Sequence, residues 1–259
     1  MLAVTTRNRL RAPHLCLPML YVRFLISRQL SQTPGLIRYA GGIASPTEFL
    51  TLTVWTEAAA AQAFARSGAH RRFLWLVTRW SAAFWSLRWE PTLDEWGTWR
   101  GRSLATRAAS RRPVSPVVAA GLARPDPPPR SSLAVEPRGA PVVGVLARAE
   151  GPRALPLATT TRRTLARISR SEGGLLRWAV GLDLPPQVLV VSLWVDRPET
   201  RQAALALLGP QLGYSWAMCW TPGEYEVGHW AGLRLRQAAR RPVAGLPGSL
   251  TFPLGEGLD

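Results

Sequence analysis

The stretch GLIRYAGGIASPTEFLTLTVW, Gly35 to Trp55, returns without a gap as GLLRWAVGLDLPPQVLVVSLW, Gly174 to Trp194. Gly35/Gly174, Leu36/Leu175, Arg38/Arg177, Ala40/Ala179, Gly42/Gly181, Pro46/Pro185, Leu50/Leu189 and Trp55/Trp194 coincide. A repeat this long marks a duplicated domain and not a solenoid unit. Each copy reads as a β-hairpin, turned in the first copy at Ser45-Pro46-Thr47, where proline ends pairing and favours reversal. Alternation then sets Leu50, Leu52 and Val54 on one face and Phe49, Thr51, Thr53 and Trp55 on the other.

Around the first hairpin the pattern is strand, helix, hairpin, helix, strand. Residues 2–9 suit a short edge strand. Residues 17–30 suit a helix with Leu17, Leu20, Tyr21, Phe24 and Leu25 on one face, although Met19, Val22 and Ile26 are apolar on the opposite one. Residues 56–80 have helical composition with a break at Ser67-Gly68, and residues 83–90 supply the last strand. The second copy repeats the order, with a strand at 142–147 and a helix at 158–171. Beyond Trp194 the alignment sets Gly68 against Gly209, His70 against Gln211, Trp75 against Trp216 and Trp89 against Trp230. The expected organisation is a first unit at 1–91, a Pro/Arg/Ala-rich linker at 92–140, a second unit at 141–231, and a basic, then Gly/Pro-rich tail at 232–259.

The βαββαβ order is that of a ferredoxin-like domain, an α+β fold with two helices on one face of an antiparallel sheet. The bare sheet face needs a cover, and two tandem copies supply it by packing against each other as an intramolecular dimer.

The chain has 259 residues, 47% of them hydrophobic, and 12 Trp, enough for two small cores. No run of eighteen apolar residues suggests a membrane span, and the N-terminal stretch lacks a secretory pattern, so a cytoplasmic location is expected. Cys16 and Cys219 are too few and too far apart for a disulfide framework or a cysteine metal site. The net charge is +16, every basic side chain is arginine, and no acid precedes Glu48. Arg7, Arg9, Arg11, Arg23, Arg28 and Arg38 form one basic cluster and Arg234, Arg236, Arg240 and Arg241 another. Such surfaces attract nucleic-acid phosphates or anionic lipid without specificity.

The hairpin ending in VW, followed by TEAAAAQAFARSGAHRRF, resembles the dimeric α+β barrel proteins of the antibiotic-biosynthesis and heme-degrading monooxygenase type. A kinship with spheroidene monooxygenase is a further expectation, attached to no motif. The resemblance implies a tandem version of the barrel and a small-molecule site. It implies cofactor-free oxygenation more than heme chemistry, because Phe64 and Leu74 stand where the heme-degrading proteins carry a Trp and the ligating His.

His70 is the leading candidate for chemistry, as proton acceptor from a phenol-like substrate or as an axial heme ligand, with a cap on the helix break or a contact with the linker as its structural reading. On a resumed helix it shares a face with Phe73, Val77 and Trp80. Trp80 and Trp85 face Thr221 and Glu226 in the alignment, which marks them as an apolar wall specialised in one copy. Arg38 is either an anion contact or a structural arginine. The first expectation is therefore a small-molecule-binding, monooxygenase-like protein. The alternative is a non-catalytic module that binds nucleic acid or an acidic partner through arginine. Phosphate loops, HExxH, GxSxG and paired-carboxylate spacings are absent from the sequence.

Overall fold

The computed structural model describes residues 1–109, 141–171 and 174–235. The first half contains β1 (Leu2–Leu10), α1 (Cys16–Ser31), β2 (Leu36–Ser45), β3 (Glu48–Trp55), α2 (Ala58–Ala65), α3 (Gly68–Trp80), β4 (Ser81–Gly97) and the short α4 (Leu104–Ala109). The second contains β5 (Val142–Glu150), α5 (Ala154–Ile168), β6 (Leu175–Asp183), β7 (Gln187–Val195), α6 (Pro198–Ala206) and β8 (Trp216–Gly228). A five-residue π turn, Leu207–Gln211, comes directly after α6. The strands close into one barrel in the order β1-β3-β2-β6-β7-β5-β8-β4. The fold is two ferredoxin-like units joined as an intramolecular α+β barrel. Closure corrects the reading of β1 as an edge strand: it lies between β3 and β4.

Alternation on the hairpins puts Leu50, Leu52 and Val54 in the barrel interior with Leu189, Val191 and Leu193 of β7. Trp85, Trp89, Trp216 and Trp220 complete that core. The opposite faces lie under the helices, where Trp55 packs with Phe64 and Leu30, and Phe49 with Met19 and Leu10. In the second unit Val143, Val190 and Trp194 pack with Ala158, Leu165 and Leu208.

The registers correct the second half of the repeat. Ala3 faces Val54 and Trp89, while Gly144 faces Leu193 and Trp220. Arg7 faces Trp85 as Arg148 faces Trp216. Trp85 thus corresponds to Trp216, Trp89 to Trp220, and Trp99, bridged to Arg102, to Trp230, bridged to Leu233. The shift arises because α2 and α3, of 8 and 13 residues, are matched by α6 of 9 and the π turn alone. Gln211 lies in that turn and is no counterpart of His70.

Two seams hold the halves together. At the first, β2 meets β6 at Ile43 and Leu182, and Gly42 and Gly181 bring their backbones into contact. Arg23 of α1 pairs with Asp183, and Arg162 of α5 donates to Ala44 O and Val180 O, both at 2.9 Å. At the second, β4 runs on past the strand expected at 83–90 and pairs with β8 as far as Gly97 opposite Trp216. The Trp85 indole N–H donates to Glu226 across the seam (2.9 Å), and that of Trp216 donates to Glu95 (2.7 Å).

Part of the stretch assigned to the linker is therefore barrel: Trp99 is buried in the shared core and α4 packs on β4. Residues 110–140 of that linker, residues 236–259 of the tail, and Arg236, Arg240 and Arg241 of the second basic cluster lie outside the described residues. Among the described residues no helix is long and apolar enough to cross a membrane.

Candidate functional site

The sheet separates the residues nominated from the sequence. His70 opens α3 just after the break, where Gly68 takes a φ of +52°. Gln29 of α1 ties the break together: its amide donates to Ser67 O (3.1 Å) and its carbonyl oxygen accepts from the His70 backbone N–H (2.9 Å). His70 Nδ1 lies 3.0 Å from Ala65 O, so the fitting tautomer carries its proton there, and its ring packs 4.9 Å from that of Phe64. Burial lowers its pKa below that of a free histidine, against the opposing effect of the Ala65 bond.

Val77 and Trp80 pack beside the Leu10–Met19–Phe49 cluster, and Arg72 lies over the ring of Phe73 at 5.7 Å. Trp85 is 1% exposed, on the other side of the sheet. It is the symmetry mate of Trp216, not a partner of Trp80 in one wall. The surroundings of His70 do not fit a heme: the imidazole is largely buried with its ring against Phe64, and neither of the two clefts described below is lined by His70. Among the described residues no group of three His, Cys, Asp or Glu is placed to hold a metal ion. Burial raises the Cys219 thiol pKa to about 12, with the charge of Asp94 adding to the effect, so this cysteine behaves as a core residue.

Arg38 lies elsewhere, at one mouth of the barrel. Its Nε and Nη2 donate to Trp99 O at 3.3 and 3.2 Å and its Nη1 to Ile37 O at 2.8 Å, which leaves two of its five N–H groups for another acceptor. Arg177 makes the related bonds to Leu176 O and Ala231 O, so both arginines clamp the turns that follow β4 and β8.

Arg38, Arg102, Ser103, Arg107, Thr106, Ile37 and Leu104 line a cleft of about 530 Å³. Arg38 has its pKa lowered by burial first, then by the charges of Arg102, Arg100 and Arg107. Behind it Arg148, 3% exposed, lies over the Trp99 ring at 5.2 Å and is pulled down to about 10 by burial, then by Arg100 and Arg38.

Among the described residues the carboxylates nearby, Glu95 and Glu150, are committed. Glu150 pairs with Arg148 and Arg100. Glu95 accepts from Trp216 Nε1, Leu104 N, Ala105 N and Ser103 Oγ. The duplicated structure supplies a control. Arg7, the mate of Arg148, bonds Glu48 at 2.7 Å, whereas Arg148 meets the neutral Gln187 at the corresponding place and takes its acid from Glu150 of its own strand. Arg100 and Arg102 correspond to Ala231 and Leu233. The barrel therefore does not require Arg100 and Arg102, although Arg177 and Arg234 stand beside their counterparts in the other half. A second cleft, of about 350 Å³, centres on Arg201, which is already paired with Asp196 (2.6 Å) and Asp94 (3.2 Å). Sequence reading missed Arg102 and Arg107 because they stand in the stretch assigned to the linker. The available signal was three arginines close behind Trp96 and Trp99.

No family model matches the chain, and no curated protein matches it. Solved structures do. An antibiotic biosynthesis monooxygenase is 16% identical, over 36% of this chain and 99% of its own, at a TM-score of 0.34. A variant of SnoaB, a cofactor-independent oxygenase from Streptomyces nogalater, is 14% identical over 34% and 86%, at 0.28. A candidate monooxygenase from Lactobacillus acidophilus is 8% identical over 86% and 93%, at 0.33. The first two match about one unit of this chain, and the third spans both. These neighbours are of the antibiotic-biosynthesis-monooxygenase type, with the α+β architecture described above. At such identities and TM-scores the likeness carries nothing about activity, and the fold stands on the strand order itself.

Proposed function

We propose that this protein binds a small molecule with an anionic head and an apolar body at the Arg38–Arg102–Arg107 cleft. The carrying observation is that Arg38, Arg102 and Arg107 line one cleft, while the positions of Arg100 and Arg102 are held by Ala231 and Leu233 in the other half. Arg38 offers two N–H groups in a fork held by Trp99 O and Ile37 O, a preorganised contact for a carboxylate or phosphate. Ile37 supplies apolar wall in front of the buried Leu104, and the cleft is of the size that takes a small organic ligand. This keeps the expectation of a small-molecule-binding barrel but moves the site from His70 to the barrel mouth. Oxygenation of an aromatic or polyene substrate at His70 remains the reading the resemblance implies, and no feature of the His70 surroundings favours it.

Phenyl phosphate, with phenol as the uncharged control, tests the proposal by titration calorimetry. Phenyl phosphate is expected to bind and phenol not. Arg102→Gln, an exposed position whose loss leaves the Trp99 clamp intact, should weaken binding about tenfold, or about 1.4 kcal/mol. Equal affinity for both probes, or an unchanged affinity in the variant, would refute the site.

A further inference from the structure

The first helix buries the face opposite to the one its larger residues suggest. Met19, Val22 and Leu30 of α1 face the sheet, while Leu17, Tyr21 and Phe24 are 76%, 63% and 61% exposed. They stand at i, i+4 and i+7, one stripe on the outer side of the helix. On α3, which packs beside α1, Trp75 is 58% exposed. Four large apolar side chains in one helical layer exceed the scattered exposure ordinary for a soluble surface.

The second unit shows that the fold does not require them. Where α1 buries Met19 and Val22, α5 buries Ala158 and Thr161. Continuing that correspondence sets Pro156, Thr160 and Arg163 in the places of Leu17, Tyr21 and Phe24. One copy keeps this outer face polar apart from Leu155 and Pro156 in its first turn, and the other makes it aromatic and aliphatic.

The charge around the stripe has one sign. Arg11, Arg28, Arg66, Arg71, Arg72 and Arg79 are exposed on or beside these helices, and neither α1 nor α3 contains an acid. A second copy of this face would set arginine against arginine. A nucleic acid would meet the charge but leave Leu17 and Phe24 without an apolar partner. An anionic bilayer surface accepts both, since Trp, Tyr, Phe and Leu seat at the headgroup boundary while arginine meets the phosphates.

We infer that the outer face of α1 and α3 is a docking surface for an anionic membrane, which the protein touches without spanning. The inference is independent of the cleft and of any ligand there.

Sedimentation of the full chain with vesicles tests it. One set is phosphatidylcholine alone and the other contains roughly one-third phosphatidylglycerol. The protein is expected to sediment with the anionic vesicles only, and less as salt rises. Tyr21→Thr with Phe24→Ser, both exposed and therefore compatible with an unchanged melting temperature, should lower the bound fraction at least tenfold. Arg71→Gln with Arg72→Gln should do the same. Binding that ignores the Tyr21/Phe24 pair would overturn the inference, as would no sedimentation at all. So would a self-association, or a binding of single-stranded DNA, that these substitutions abolish while vesicle binding persists.

Discussion

Gly42→Ala is expected to destabilise the barrel by about 3 kcal/mol, a fall of roughly 10 °C in melting temperature for a chain of this size. A Cβ on Gly42 would lie 2.6 Å from the carbonyl carbon and 2.7 Å from the Cα of Gly181. Those are backbone atoms of the facing strand, so no side-chain rotation relieves the clash. The halves must part where β2 and β6 are joined by the single register pair Ile43–Leu182. Gly181→Ala, whose Cβ would come 2.8 Å from the Gly42 carbonyl carbon, should behave alike. Thermal unfolding followed by circular dichroism measures both, and a loss below about 1 kcal/mol would mean that the seam is looser than described.

Glu95→Ala is the second large effect. Glu95 Oε1 accepts from Trp216 Nε1 at 2.7 Å and from Leu104 N at 2.9 Å, and Oε2 accepts from Ala105 N at 2.9 Å and Ser103 Oγ at 2.5 Å. Removing the carboxylate strands a fully buried indole N–H and frees the start of α4, with an expected cost of about 3 kcal/mol. Because α4 carries Leu104, Thr106 and Arg107 of the cleft, phenyl phosphate binding should disappear together with stability. Urea unfolding and calorimetry on one variant track both losses. Undiminished binding in a destabilised Glu95→Ala protein would separate the cleft from α4 and contradict the geometry.

The hairpin repeat was legible because its physics is local: alternation and a proline turn operate within one short stretch. Its glycines were legible too, and Gly42 with Gly181 now has a reason, the backbone contact at the seam. The segment beyond Trp194 was misaligned because the second unit shortens its helical part. A chain with twelve Trp offers a tryptophan match at several offsets. Only strand register showed that Trp85 and Trp216 are mates. The extension of β4 past residue 90 was illegible for a different cause: its partner β8 lies in the other half, so nothing near Glu95 or Trp96 in sequence marks a strand. On α1 both faces are apolar, and periodicity alone could not tell which faces the sheet.

His70 was singled out as a lone histidine on a helix face. The helix break it sits at is real, and its bonds to Ala65 and Gln29 match the structural reading of a histidine that fastens this break. Arg38 was legible by recurrence, but its neighbours Arg100, Arg102 and Arg107 come to it only through the turn after β4.

The most direct test is a disulfide between the halves. With Cys16→Ser and Cys219→Ala as background, Ile43→Cys and Leu182→Cys place two thiols on facing antiparallel positions, a separation that a disulfide spans. Mild oxidation of dilute protein should give a monomer with no free thiol and a raised melting temperature. Persisting free thiols, or disulfide-linked dimers in place of the closed monomer, would show that the two halves do not share one barrel.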